Sequence, residues 1–158
     1  MKLTQIVEVD AIVPTLQSTT RDEVVAELID ALIAAGAVDA SLRQELIDKA
    51  LERERRGSTG FGKGVAVPHV KHERIPGIRA AVGLSPTGVD FNALDKQPVY
   101  SIFLLLSPAD KPEEHLRAME IIFKNLSNEL FRRFLRQATT VEEVRSLLEE
   151  ADGDALGE

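Results

Sequence analysis
The sequence predicts an α/β fold: a single-domain sandwich in which a mixed β-sheet is flanked by helices on both sides. Three features carry that expectation. Helical periodicity occupies both ends of the chain, and β-type segments fall between them. One of these, VYSIFLLL at residues 99–106, is apolar enough to be a strand buried on both faces. The 158 residues, 44% hydrophobic and without cysteine, suffice for one full core with no disulfide. No internal repeat, linker or low-complexity segment divides the chain.

Taken in order, Thr20-x-x-Glu23 is a capping-box pattern for a helix whose apolar face holds Val25, Leu28, Ile29 and Leu32 and which Gly36 stops. Ser41-x-x-Gln44 offers a second box, followed by Leu42, Leu46, Ile47, Ala50 and Leu51, with Gly57 suited to end this helix in a left-handed conformation. Val65-Ala66-Val67 has strand character, and Pro68 keeps Val67 extended while lacking a ladder donor, which puts His69 where that strand ends. Arg79 to Ser85 and Val89 to Phe91 read as strands joined by a turn at Pro86-Thr87-Gly88. The 99–106 strand is expected at the centre of the sheet, with a break at Ser107-Pro108. Pro112 then suits the first turn of a helix whose buried stripe is Leu116, Met119, Ile122, Phe123 and Leu126. Asn128 caps a short helix bearing Phe131, Phe134 and Leu135, and Thr140-x-x-Glu143 caps a last one with Val144, Leu147 and Leu148. Residues 152–158 are expected to fray.

Charge and composition narrow the partners. A net charge of −7 and a pI near 5.1 repel phosphate backbones, and only the short Arg132, Arg133, Arg136 group runs against this, so no nucleic acid is expected as a partner. No segment approaches the roughly 18 apolar residues of a membrane span, and MKLTQIVEVDAIVPTLQ has no signal-type apolar run. No membrane insertion is expected, and the absence of cysteine fits a reducing cytoplasm.

The stretch GSTGFGKG, residues 57–64, nearly spells a nucleotide phosphate loop: Gly57, Gly62 and Lys63 fit, but Gly64 stands where a Mg²⁺-binding hydroxyl belongs. The stretch also leaves a helix and enters a strand, the reverse of the order that points helix amides at phosphates. A nucleotide site is therefore not expected. His69, at a strand end beside this loop, has a setting that suits a nucleophile, although spacing alone fits a solvent-facing loop histidine as well. His115 shares a helical face with Met119, Ile122 and Leu126 and points inward, as a hydrogen-bonded core histidine also would. Arg53 falls within ~20° of Leu42 and ~20° of Leu46 at about 100° per residue, whereas Arg55 and Arg56 point elsewhere. A guanidinium there either pairs with a carboxylate, Glu54 or Glu113, or meets an anion. Two histidines and an inward arginine suit phosphoryl chemistry without nucleotide. Ser58 lacks the G-x-S-x-G setting of a hydrolase, and His69, His72 and His115 have no metal-binding spacing, so neither metal nor cofactor is expected.

The run REx₂GSTGxGxGVAVPH, Arg53-Glu54 followed by Gly57 to His69, closely resembles the fructose/mannitol-type (type 2) enzyme IIA domain of the bacterial sugar phosphotransferase system, especially its nitrogen-regulatory branch. The similarity extends from LTQIVEVDAIV through LLLSPADKPEEHL to the final helices, so residues 1–151 are expected to form this domain. The resemblance implies that His69 accepts a phosphoryl group on Nε2 from the phosphocarrier HPr or its nitrogen-branch counterpart. It also implies that His115 is the second active-site histidine and that Arg53 neutralises the phosphate. The loop glycines would let the backbone pass close to the site, with Lys63 on the solvated surface. The pattern departs at Val70, where Gly commonly follows the active histidine, and His72 has no family role. Two functions follow from the resemblance: a regulatory protein whose phosphorylation decides which target protein it holds, or a relay to an enzyme IIB in sugar uptake. GSTGFGKG and the chain's lack of an attached IIB or membrane domain favour the first.

Overall fold
A strand that is apolar without alternation must be covered on both faces, and β6 (Val99–Pro108), buried at all but Tyr100, is covered in this way. In the computed structural model, which describes residues 1–153, β6 lies at the centre of a six-stranded mixed sheet. Its antiparallel neighbour is β5 (Arg79–Val89), and on its other side β3 (Val65–Ala66) and β4 (His69–His72) both run parallel to it. The edges are β1 (Val7–Val13), parallel to β5, and β2 (Gly60–Gly62), antiparallel to β3. Alternate residues of β6 feed two cores. Ile102, Leu104 and Leu106 pack beneath α2 (Arg21–Ala34) and α3 (Arg43–Arg56). Phe103 and Leu105 pack beneath α1 (Leu3–Ile6), α4 (Pro112–Leu126), α5 (Glu129–Gln137) and α6 (Val141–Asp152). The expected sandwich is present.

Three of the expected caps form. Thr20 Oγ1 accepts from the Glu23 amide at 3.3 Å, Asn128 Oδ1 from Phe131 at 3.0 Å and Thr140 Oγ1 from Glu143 at 3.1 Å, each a contact worth about 1 kcal/mol of helix stability. The Ser41 box does not. Asp39 caps a short 3₁₀ turn, Ala40–Leu42, by accepting from the Ser41 amide, and Gln44 turns to Asp48. An anionic acceptor two residues upstream outcompetes the serine hydroxyl. Gly57, with φ 160°, leaves α3 in extended rather than left-handed conformation.

Other expectations need correction. No turn occurs at Pro86-Thr87-Gly88: β5 runs straight through it, and a register shift between Leu84 and Val89 absorbs the extra residues as a bulge. Ser85 Oγ accepts from the Gly88 amide at 3.0 Å, and Gly88 has φ 88°. β1 and α1 were not foreseen; β1 carries its own register shift between Val7 and Ile12, which breaks the alternation that marks a strand. His69 opens β4 instead of closing β3. The pairs Val65 with Ser101, Ala66 with Ile102 and His69 with Leu105 keep one register, because Pro68 loses only its donor and its carbonyl still accepts from the Leu105 amide at 2.9 Å. Ser107 and Pro108 stay in β6, paired with Lys71 and His72. On α4 the inward face is His115, Ala118, Ile122 and Leu126, while Leu116 is 60% exposed. Asp152 does not fray: as the last residue of α6 its carboxylate accepts from the Leu3 amide at 2.7 Å and from the Thr4 amide and hydroxyl. The remainder of the expected tail, residues 154–158, lies outside the described residues.

Candidate functional site
The alternation of β4 sorts its four residues. Val70 and His72 face α3, and Val70 joins the α2/α3 core, whereas His69 and Lys71 face the α4 side. His72 is thereby accounted for without chemistry: its Nε2 meets the Glu45 carboxylate on α3, its Nδ1 accepts from the Arg74 amide at 2.9 Å, and it is buried away from His69. Among the described residues no grouping of three or more His, Cys, Asp or Glu suits a metal ion.

His69 is half-buried, and its Nδ1 lies 2.9 Å from the Val67 carbonyl oxygen. A carbonyl only accepts, so Nδ1 carries the proton and Nε2 keeps its lone pair. Burial pushes the imidazole below its usual 6.5, the Arg53 and Lys71 charges add to this, and the Val67 carbonyl and Glu54 act against it. The ring is therefore neutral near pH 7. His115, in the first turn of α4, comes to a ring-centroid distance of 5.5 Å at an interplanar angle of 52°. Its Nδ1 meets Ser107 Oγ at 2.7 Å, and burial, followed by the charges of Lys71 and His69, lowers it to about 4. Two neutral imidazoles thus stand side by side.

Arg53 reaches this place from the last turn of α3. Its Nη1 donates to the Gly57 carbonyl at 2.8 Å, and with His69, Lys49 and Lys71 it lines an open cavity of about 350 Å³. Neither Glu54 nor Glu113 pairs with it. Glu54 is 3% exposed and instead accepts from the Thr59 amide and hydroxyl. The Thr59 carbonyl accepts from the Val67 amide at 3.3 Å, and the Val67 carbonyl holds His69. The loop after α3 therefore orients the histidine through Glu54, Thr59 and Val67. Of its glycines, Gly57 brings its carbonyl to Arg53, whereas Gly60, Gly62 and Gly64 lie against Ala93, Asp95 and Tyr100. Lys63 is exposed, as expected.

The structure thus brings together His69, His115 and Arg53. Sequence reasoning missed Lys71, Ser107 and the Glu54 to Thr59 link. The signal for Lys71 was present, since H-x-K on a strand puts both side chains on one face; Ser107 and Glu54 act through tertiary contacts with no local signature.

The family model described as phosphoenolpyruvate-dependent sugar phosphotransferase system, EIIA 2, matches residues 5–151. The chain belongs to this family. Among relatives of this EIIA 2 chain, a "PTS system fructose-specific EIIA component" of Haloferax volcanii is 33% identical over 131 residues, covering 83% of this chain and 84% of its own. A "Nitrogen regulatory protein" of Bradyrhizobium diazoefficiens is 31% identical over 150 residues, covering 94% and 95%. In three dimensions the EIIA 2 chain is similar to the crystal structure of nitrogen regulatory protein IIA-Ntr from Neisseria meningitidis, with a TM-score of 0.82 at 28% identity over 91% of this chain and 97% of that one. The likeness supports the six-stranded mixed sheet and its helices as the family fold.

Proposed function
We propose that this EIIA 2 protein is a phosphoryl carrier that accepts phosphate on Nε2 of His69 from an HPr-type phosphocarrier. The observation that carries the reading is the hydrogen bond from His69 Nδ1–H to the Val67 carbonyl, which leaves Nε2 as the nucleophilic nitrogen beside a cationic cavity. In the transfer, the P–N bond of the donor phosphohistidine breaks as the Nε2–P bond forms. Nδ1 keeps its proton on Val67, so no base is required. With Ser107 donating to His115 Nδ1, the His115 proton sits on Nε2, where it serves as a donor to a phosphoryl oxygen. Arg53 and Lys71 offset the incoming charge of roughly two units. The protein is a phosphotransferase component working through a phosphohistidine, without nucleotide, metal or other cofactor.

The role we favour is regulatory, with phosphorylation deciding which target protein is held. Agreement over nearly the full length of a nitrogen regulatory protein supports this. A relay to an enzyme IIB in sugar uptake is the second reading, favoured by the fructose-specific relative. Absence of a membrane-spanning helix among the described residues fits either role, and we place the protein in the cytoplasm. Incubation with phosphorylated HPr-type donor tests the carrier step: one acid-labile phosphoryl group per chain is expected, and none on the His69→Ala variant. Capture of partners from cell extract by the phosphorylated and unphosphorylated forms then separates the roles. A target bound by one form supports regulation; onward transfer to an enzyme IIB with no form-dependent target supports sugar uptake.

A further inference from the structure
A cavity of about 700 Å³, larger than the one of about 350 Å³ beside His69, lies elsewhere on the molecule. It opens where β3 and β6 begin, between Tyr100 and α5, with Tyr100 five residues along β6 from the His69 partner Leu105, or roughly 17 Å. Its charge is opposite to that of the molecule. Lys63, Arg132, Arg133 and Arg136 line it against only Asp95 and Glu129, in a chain of net charge −7. Asp95 makes no ion pair with them, its two oxygens accepting from the Lys63 and Gln97 backbone amides, and four cations against two carboxylates leave the lining net positive. Glu129 stands 3.8 Å from Arg133 alone. Arg132 donates to the Leu126 carbonyl, and Arg136 makes no ion pair with a carboxylate of the described residues.

Arg136 is exposed and rests against an aromatic ring. Its guanidinium stacks on the Tyr100 ring, 3.5 Å from the centroid, which leaves the outer face and N–H edges of the planar group open to the cavity. Glycines seat the ring at its edges. A Cβ on Gly88 would lie 3.0 Å from Tyr100 Cε1, and one on Gly64 would lie 3.3 Å from Cδ2. Arg132 and Arg136, four residues apart on α5, present two forks on one helix face, about 6 Å apart along the axis, and Lys63 closes the opposite wall. Two forks and an ammonium converging on a concave space match a ligand with two linked anionic groups.

We propose that this cavity is a non-covalent binding site for a small molecule carrying a diphosphate. The site is separate from the histidine pair and does not rest on the carrier reading. The test is titration of the whole ¹⁵N-labelled protein with inorganic pyrophosphate in Mg²⁺-free buffer, followed by amide NMR, with sulfate at equal ionic strength as the single-centre anion. Saturable one-to-one shifts at Gly64, Val65, Tyr100 and Ser101 are expected, with sulfate binding at least tenfold more weakly. The Arg132→Gln/Arg136→Gln variant should weaken pyrophosphate at least tenfold while still accepting phosphate at His69. Tyr100→Phe should bind like wild type, and Tyr100→Leu, which removes the platform, should bind more weakly. Equal affinity for sulfate, no saturable change, or shifts confined to His69 and Lys71 and untouched by the double variant would overturn the proposal.

Discussion
The Nδ1–H of His69 donates to the Val67 carbonyl oxygen at 2.9 Å, and this bond decides which nitrogen of the ring is free to react. Phosphorylation is therefore expected at Nε2 alone. ³¹P and ¹⁵N NMR of the labelled protein should show a single Nε2-phosphohistidine; label at Nδ1, or on a hydroxyl, contradicts the assignment. His69→Ala should remove the label and Ser58→Ala should keep it, because Ser58 Oγ is occupied in donating to the Phe91 carbonyl at 2.6 Å. ATP alone should not label the protein, since residues 57–64 lack the magnesium-binding hydroxyl.

His115 is expected to act as a donor and not as an acceptor of the phosphoryl group. His115→Gln keeps an N–H donor and should still accept phosphate while passing it on more slowly; His115→Ala should accept less well. Acceptance and onward transfer measured separately check this. Complete loss of acceptance in a folded Gln variant assigns the residue a different role.

Arg53→Ala should lower phosphoryl occupancy at equilibrium with donor about tenfold to a hundredfold, the loss of one charge-assisted hydrogen bond worth roughly 1.5–3 kcal/mol. Arg53→Lys keeps charge without the planar fork and should fall between, and Arg55→Ala, on an exposed position of α3, should match wild type. Occupancy is read at a fixed ratio of phosphorylated to free donor. Equal behaviour of Arg53→Ala and Arg55→Ala excludes the charge-balancing role.

Acidification should weaken the fold through His115. Its native value of about 4 lies below the unfolded 6.5, so between these values the unfolded chain binds the extra proton and stability falls as pH falls. The stability is fully present above pH 6.5 and is lost progressively down to about pH 4, on the order of 2 kcal/mol in all. His115→Gln should show a smaller drop in Tm across this window than wild type. His69 is also lowered, so phosphate acceptance should stay level as pH falls toward 6.5 and decline only below it.

Glu54→Ala should destabilise the protein by about 1–3 kcal/mol, because the buried Thr59 amide and hydroxyl lose their acceptor. It should also slow acceptance, as the Thr59 to Val67 support behind His69 loosens. Glu54→Gln keeps an acceptor and should lose less of both. Urea denaturation and donor-transfer rates check the two effects; wild-type rates in a destabilised Glu54→Ala protein would show that the support does not reach His69.

Much of this could be read in the chain, and what could not has physical reasons. α2, α5 and α6 declare themselves because their caps and apolar periods are local, and β6 because a strand buried on both faces is uniformly apolar. The inward aim of His115 follows from helical phase, whereas Arg53 is only half-buried at the edge of α3's inner face and Glu54 takes the buried position. β1 was hidden by its irregular register, and the Pro86-Thr87-Gly88 segment carries turn chemistry that the Tyr100 ring and Pro98 instead hold in a bulge. Glu54 reads as a surface acid until Thr59 folds back over it.

The clasp between Asp152 and residues 3–4 bears on the order in which the protein is made. β1 can pair only once Ala80 to Gly83 have been synthesised, and α1 gains its Asp152 partner only when the last turn of α6 exists. Residues 3–13 therefore leave the ribosome before their partners exist, while α2 and α3 form beside them. In a nascent chain arrested before α6 emerges, α1 should be more sensitive to protease than it is once Asp152 is in place.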